Sequence, residues 1–502
     1  MRILFYFNWE FSQLCHALAI KLKEGYGVKD SDMSGLAIQK KDYEFLKNQK
    51  DVAYSHLGLM SEYMNPKKAL REPVDYEYLR RMEKKYGMPN LWPLIYADRD
   101  LVIYNQYTTY SHEDCMKFLQ SALRYTESLL EKTKPDVIIY DCIASMPAYV
   151  FYKIAEASGI KNIIPTSARI GNRVTFSYDT YEGFNKAIEA YDKAEIHEKS
   201  KKEAREFLRE FGARNIKPEY AVLGESGIKR YFSIVNQLGK IPKIFEYVNK
   251  YNSEYYSDDY FYYKRSAEKV VVEKLKQNVR RLSINKSGLF EKPDYSEDYA
   301  FFPLHFEPET ATMVMAPMYL NQVALAENIA KSLPVNYKLY IKDHPAMALM
   351  GMRRHDYYWQ LRRIPNVKLI NPMIDSKEII RKSGLVFAIT GTAGWEAAML
   401  KKPVITFGKV FFNRLRGVRK CEDINKLPEI VKEVLEKCPI REEEVIDFVA
   451  AIWQHSFEIK LGEIYGQADP VPFEKVMAHN DLPLLVRKLA EEIGLQKSNS
   501  NM

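Results

Sequence analysis

Two short segments carry the residue types that anion chemistry needs, Lys342-Asp343-His344-Pro345 and Thr390-Gly391-Thr392-Ala393-Gly394. The second follows an apolar run, Leu385 to Ile389, and precedes Trp395-Glu396-Ala397-Ala398, which reads as strand, turn and helix start. Glycines in such a turn let the backbone approach a ligand, and free N–H groups at a helix start favour a phosphate. Thr390 and Thr392 either cap that helix, donate to phosphate oxygens, or do both. Glu396, one turn into the helix, is placed to accept hydrogen bonds from ribose hydroxyls. The turn is not the Gly-x-Gly-x-x-Gly dinucleotide fingerprint. Lys342-Asp343-His344-Pro345 ends another strand-like run, and Pro345 stops that strand. His344 there can donate to a phosphate oxygen and offset charge as a leaving group departs; the simpler alternative is a bond to nearby backbone. Lys342 adds a point charge. His305 follows a third such strand and faces the same rim, with capping by Glu309 and Thr310 as the plain alternative for that loop.

Carboxylates able to take a proton from a hydroxyl lie in the first third of the chain. Glu10 follows the strand-like Arg2 to Phe7, and Asp141 follows Pro135 to Tyr140; each is also readable as a cap or a solvated turn. Asp30-Ser31-Asp32 and Asp98-Arg99-Asp100 resemble aspartate pairs that hold a metal-diphosphate, but neither follows a convincing buried strand, so both read as solvated turns. The nine histidines and five cysteines are scattered, without Cys-x-x-Cys or a His/Cys cluster, so no metal site and no disulfide framework is expected. A reducing, cytoplasmic setting is the expectation.

These residues need sheets to hold them. At 502 residues the chain exceeds what one core accommodates, so two or more domains are expected. Strand-like runs alternate with helical ones over 1–176 and again over 293–425, which predicts two α/β halves with parallel sheets. Between them, 177–292 reads as a helical insertion or bridge. Its Tyr-rich run, Tyr251 to Tyr263, is either a packing face or a lip facing an acceptor or a membrane. Residues 426–502 read as helices packing back across the junction. The net charge of +8 suits anionic ligands or a peripheral contact with an anionic membrane face and gives little reason to expect nucleic acid. No apolar run reaches the ~20 residues of a spanning helix.

Phe302-Pro303-Leu304-His305-Phe306-Glu307-Pro308-Glu309, the Lys-Asp-His-Pro segment, and Thr390-Gly391-Thr392-Ala393-Gly394-Trp395-Glu396-Ala397 with Lys402-Pro403-Val404-Ile405-Thr406-Phe407-Gly408 resemble capsule and surface polysaccharide biosynthesis proteins. They are also similar to elements of β-Kdo transferases, some sialyltransferases and CDP-glycerol glycerophosphotransferases. The resemblance covers roughly 299–408, with a weaker likeness at Ser167 to Arg173. It implies an α/β, GT-B-like fold: two Rossmann-like domains facing across a cleft, the second holding a nucleotide-activated donor. It implies a phosphate contact at His344, further phosphate contacts at the turn Thr390, Gly391, Thr392, Ala393 and Gly394, and a place near the ribose for Glu396. Lys342 by its charge and His305 by its strand-end position are expected to line the same donor site, and the likeness at Ser167 to Arg173 puts Arg169 and Asn172 on the acceptor side of the cleft. Lys401 stands where the family usually has glycine. The expected activity is glycosyl transfer from a CMP- or UDP-linked sugar to a glycan or lipid-linked acceptor, with no cofactor and no bound metal. A CDP-polyol phosphotransferase, a sugar-nucleotide epimerase and a non-catalytic assembly or export protein are the alternatives.

Overall fold

A computed structural model describes residues 1–8, 11–102, 110–213, 267–437, 439–466 and 471–497. Glu10, Cys438 and the Tyr251 to Tyr263 run lie outside the described residues. Within the described residues the chain divides into two units, one built from 1–180, 267–269 and 456–497, the other from 181–213 and 270–455. Of the stretch 177–292, residues 214–266 lie outside the described residues. Its described parts past residue 180 go almost entirely with the second unit, while the last helices, from Ser456 on, belong to the first.

The first unit holds a seven-stranded sheet. Its strands are β1 (Ile3–Phe7), β2 (Met33–Ala37), β3 (His56–Leu59), β4 (Val137–Ile139), β5 (Lys161–Ser167), β6 (Arg173–Ser177) and β13 (Phe457–Glu458), in the order β13-β6-β5-β4-β1-β2-β3. The pairs from β5 through β3 are parallel, while β6 and β13 add antiparallel strands at one edge. β1 is Ile-Leu-Phe-Tyr-Phe, every residue buried, as a central parallel strand covered on both faces must be. The Phe11–Tyr26 helix packs on it and shares a core with Leu482, Leu485, Leu489 and Ile493 of the Leu482–Ile493 helix.

The second unit holds six parallel strands, β7 (Tyr299–Pro303), β8 (Lys338–Lys342), β9 (Val367–Ile370), β10 (Leu385–Ala388), β11 (Val404–Thr406) and β12 (Val418–Lys420), in the order β12-β11-β10-β7-β8-β9. Counted within the unit this is 3-2-1-4-5-6, the doubly wound Rossmann order. The first unit repeats its 3-2-1-4-5 part. The expectation of two Rossmann-like α/β domains matches both sheets. In each, the direction of winding reverses between two central neighbours, β1 and β4 in one, β7 and β10 in the other. Ligands of open α/β sheets sit outside the carboxyl ends of the strands at that reversal.

Among the described residues no helix is long and apolar enough to cross a membrane.

Candidate functional site

In the second unit the reversal is bordered by His305, two residues past β7, and by the turn Ile389-Thr390-Gly391 past β10. The two loops touch. The Thr390 amide donates to His305 Nε2 at 3.3 Å, and a Cβ added to Gly391 would lie 2.8 Å from the same nitrogen. Glycine at 391 is thus required by the histidine ring beside it. Because Nε2 accepts from a backbone N–H, the His305 proton resides on Nδ1. That Nδ1 is buried and has no partner among the described residues. Burial first, then the nearby charge of Arg353 and the His344 ring, lowers the His305 pKa to about 4, so the ring is neutral at physiological pH.

Past β8, His344 caps the Pro345–Met350 helix: its Nδ1 accepts from the Ala346 amide at 3.2 Å. The proton of the neutral ring therefore sits on Nε2. Desolvation lowers the His344 pKa, against the pull of Asp343. β7 lies between β8 and β10, so His305 stands between the His344 loop and the Thr390 turn.

The Thr392–Met399 helix begins at this turn with Gly391 as its N-cap and no side-chain cap. The Thr390 hydroxyl is committed to the Ala311 carbonyl at 2.8 Å, and Thr392 is already inside the helix. Neither threonine caps it. The helix is fixed from behind by Trp395, almost fully buried against Phe411 and Phe448. Ala393 and Gly394 form the rest of its first turn, and the Gly394 amide closes on the Gly391 carbonyl at 3.1 Å.

The equivalent place in the first unit differs. There the helix after β4, Met146–Ala157, receives a carboxylate from its own chain, because the Met146 amide donates to Asp98 Oδ2 at 3.0 Å. Asp98 Oδ1 also accepts from the Asp100 and Leu101 amides. Asp98 and Asp100 are buried, so reading Asp98-Arg99-Asp100 as a solvated turn is incorrect: Asp98 is an internal cap for a distant helix. Asp30 and Asp32 form a partly exposed 3-10 turn, with Lys23 bonded to Asp30.

Across the first unit's reversal, Asn8 past β1 donates to Asp141 Oδ2 past β4 at 2.9 Å. Asp141 Oδ1 is buried and accepts no hydrogen bond from the described residues. Burial, opposed by the Cys142 amide and Asn8, raises the Asp141 pKa to about 6. Arg169 and Asn172 lie in the turn joining β5 to β6, where Arg169 takes a left-handed φ of 58° and the Asn172 carbonyl accepts from Ile459.

Lys342 and Glu396 are linked differently from the two histidines. Lys342 is buried and donates to the Pro372 carbonyl at 3.1 Å; burial lowers its pKa to about 8. Burial raises the Glu396 pKa to about 7, with Lys377 and Lys342 opposing and Asp375 adding to it. Four charged groups share this patch beneath the helix start.

A depression of about 380 Å³ adjoins the Thr390 turn, with Tyr181, Met318, Tyr319, Phe407, Lys409 and Lys420 among its walls. Gly408 lines it as well, and a Cβ there would meet the Thr390 methyl at 2.3 Å. Among the described residues no group of three or more His, Cys, Asp or Glu is placed to hold a metal ion.

Sequence reasoning missed Arg353, Gln322, Glu307 and Asn8. A buried arginine has no sequence signature, since most arginines are solvated. The available hint was two carboxylates, Glu307 and Asp343, in neighbouring buried loops, which require a counter-charge.

Residues 234–422 match the family described as capsule polysaccharide biosynthesis protein, a segment that contains His305, His344 and the Thr390 turn. No curated protein matches the chain. Among solved structures, Thermosulfurimonas dismutans KpsC, beta Kdo 2,7 transferase, is similar at 11% identity over 74% of this chain and 89% of that chain, with TM-score 0.36. The KpsC beta Kdo 2,4 transferase of the same organism is also 11% identical, over 69% of this chain and 87% of that one, with TM-score 0.36. Methanocaldococcus jannaschii UDP-GlcNAc 2-epimerase, in complex with UDP-GlcNAc and UDP, is similar at 12% identity over 90% and 99%, with TM-score 0.27.

Proposed function

We propose that this protein is a glycosyltransferase of capsule or surface polysaccharide synthesis, taking a sugar from a nucleotide-activated donor to a glycan or lipid-linked acceptor. The observation that carries the reading is the contrast between the two helix starts. The one after β4 is closed by Asp98, whereas among the described residues the one after β10 has no side-chain cap and the buried imidazole N–H beside it no partner. A phosphate at that place would gain donors already in position. It would accept from the amides of Thr392 and Ala393 and from His305 Nδ1, with His344 Nε2 reaching it from the next loop.

In transfer, the bond from the sugar carbon to the phosphate oxygen breaks and its electron pair leaves with the nucleotide. Neutral imidazole donors and helix amides aimed at that oxygen stabilise the charge as it develops. The acceptor hydroxyl gives its proton to a carboxylate, for which Asp141 is our candidate, because its Oδ1 is unpaired and its pKa is near neutrality. The depression beside Thr390 would seat the base, aromatic walls against its faces and Lys409 and Lys420 at its edge. Lys342 and Glu396 would bear on the ribose side of the donor, and Arg169 and Asn172 on the acceptor.

The test is binding followed by turnover. Thermal-shift measurements with CMP, CDP, UDP and GDP should give a stabilising hit with one base, since a ligand of the folded state raises stability by mass action. His344→Ala should then lower transfer at least a hundredfold with the fold retained. Undiminished transfer by that variant rules out the assignment of His344.

A further inference from the structure

Arg353 follows the Pro345–Met350 helix and is only 5% exposed. Its guanidinium makes three bonds to two different loops. Nη2 donates to the His305 carbonyl at 2.6 Å, Nη1 to Glu307 Oε2 at 2.7 Å, and Nε to Asp343 Oδ1 at 3.0 Å. Each partner is itself attached to a histidine backbone. Asp343 Oδ1 accepts from the His344 amide at 2.8 Å, and Asp343 Oδ2 from the Tyr358 hydroxyl at 2.5 Å. Glu307 Oε1 accepts from Gln322 Nε2 at 2.6 Å, while Gln322 Oε1 accepts from the His305 amide at 2.7 Å. The loops after β7 and β8 are thus joined through one planar fork.

We infer that Arg353 is a positioning residue: it fixes the His305 and His344 backbones relative to one another, so that their two ring N–H groups serve one anion. This rests on the proposed donor site. Geometry carries it. A guanidinium satisfies three acceptors in fixed directions, whereas an ammonium at the same place is a point charge on a flexible stem. Neither carboxylate of the cluster bonds an imidazole nitrogen. Asp343 and Glu307 are therefore spent on Arg353 and on backbone, and the rings keep the neutral tautomers set by Ala346 and Thr390. The positive charge of Arg353 acts on both rings in the same sense, against protonation.

The test compares Arg353→Lys and Tyr358→Phe with the full-length parent, using nitrogen-15 signals of the histidine rings and nucleotide affinity. Arg353→Lys should shift the ring signals of both His305 and His344, leave those of His56 and His479 in place, and weaken nucleotide binding tenfold or more. Tyr358→Phe removes only the bond to Asp343, so its shift should fall on His344 alone, with a smaller loss of affinity. Unchanged His305 and His344 signals in a folded Arg353→Lys protein overturn the inference. If that variant does not fold, an unmoved His344 signal in Tyr358→Phe overturns it. A parent protein that binds no nucleotide defeats the donor-site reading instead, and the ring signals still decide the role of Arg353.

Discussion

At the scale of single residues, the chemistry of the site is set by what each polar group is already bonded to. His305 spends Nε2 on Thr390 and keeps Nδ1–H unspent; His344 spends Nδ1 on Ala346 and keeps Nε2–H. Gly391→Ala would push a methyl into the His305 ring, which must shift to make room. We expect it to weaken nucleotide binding about tenfold, roughly 1.4 kcal/mol, measured by calorimetry. Asp141 predicts a pH dependence. Its folded pKa of about 6 lies above the ordinary carboxylate value, so the active carboxylate form appears as pH rises through about 6. Transfer should rise along that limb, and Asp141→Asn should remove both the limb and most of the activity in a pH–rate profile. The same raised pKa means that the folded state holds a proton the unfolded state has lost between about pH 4 and 6. Stability contributed by this group therefore falls as pH rises through that window, and Asp141→Asn should flatten the fall in a denaturation series. Sequence spacing placed His305, His344 and the Thr390 turn correctly at strand ends. It could not tell which lone pairs were taken, and it had no means of seeing Arg353 beneath them.

Strands and helices were legible in proportion to how apolar they are. β7 through β11, rich in Val, Ile, Leu and Phe, read directly from the sequence, as did β1 and β4. β2 is Met-Ser-Gly-Leu-Ala and β3 is His-Leu-Gly-Leu; small and polar residues hide them, because sheet neighbours rather than intrinsic preference make them strands. β6, β12 and β13 are edge or near-edge pieces that gain their identity from pairing. The cap given by Asp98 to the Met146 helix joins residues 48 apart, a contact local patterns cannot contain. Asp98→Ala should cost about 1–2 kcal/mol of stability by urea denaturation, as loss of a helix cap does, while nucleotide affinity stays within twofold. An equal loss of affinity would place the anion site in the wrong unit.

For the whole molecule, the doubled strand order says that both units offer a ligand position, and among the described residues only the second has its helix start uncapped. Hydrogen exchange should therefore show nucleotide protection at 305–310, 344–346 and 390–394, and none over 137–157; protection confined to the latter stretch would reverse the assignment. Domain boundaries were the least legible feature, since no composition change marks the point at Ser456 where the chain passes from the second unit back to the first. That return has a biosynthetic consequence. β13 completes the first sheet, and Ile459, Ile464, Leu482, Leu485, Leu489 and Ile493 complete its core. On the ribosome, the segments made first must wait for those made last, while the unit encoded between them has all its pieces in hand. A nascent chain cut short before Ser456 would leave Phe11, Leu14 and Leu18 without their cover, and we expect such a fragment to be taken up by chaperones or proteases rather than to accumulate.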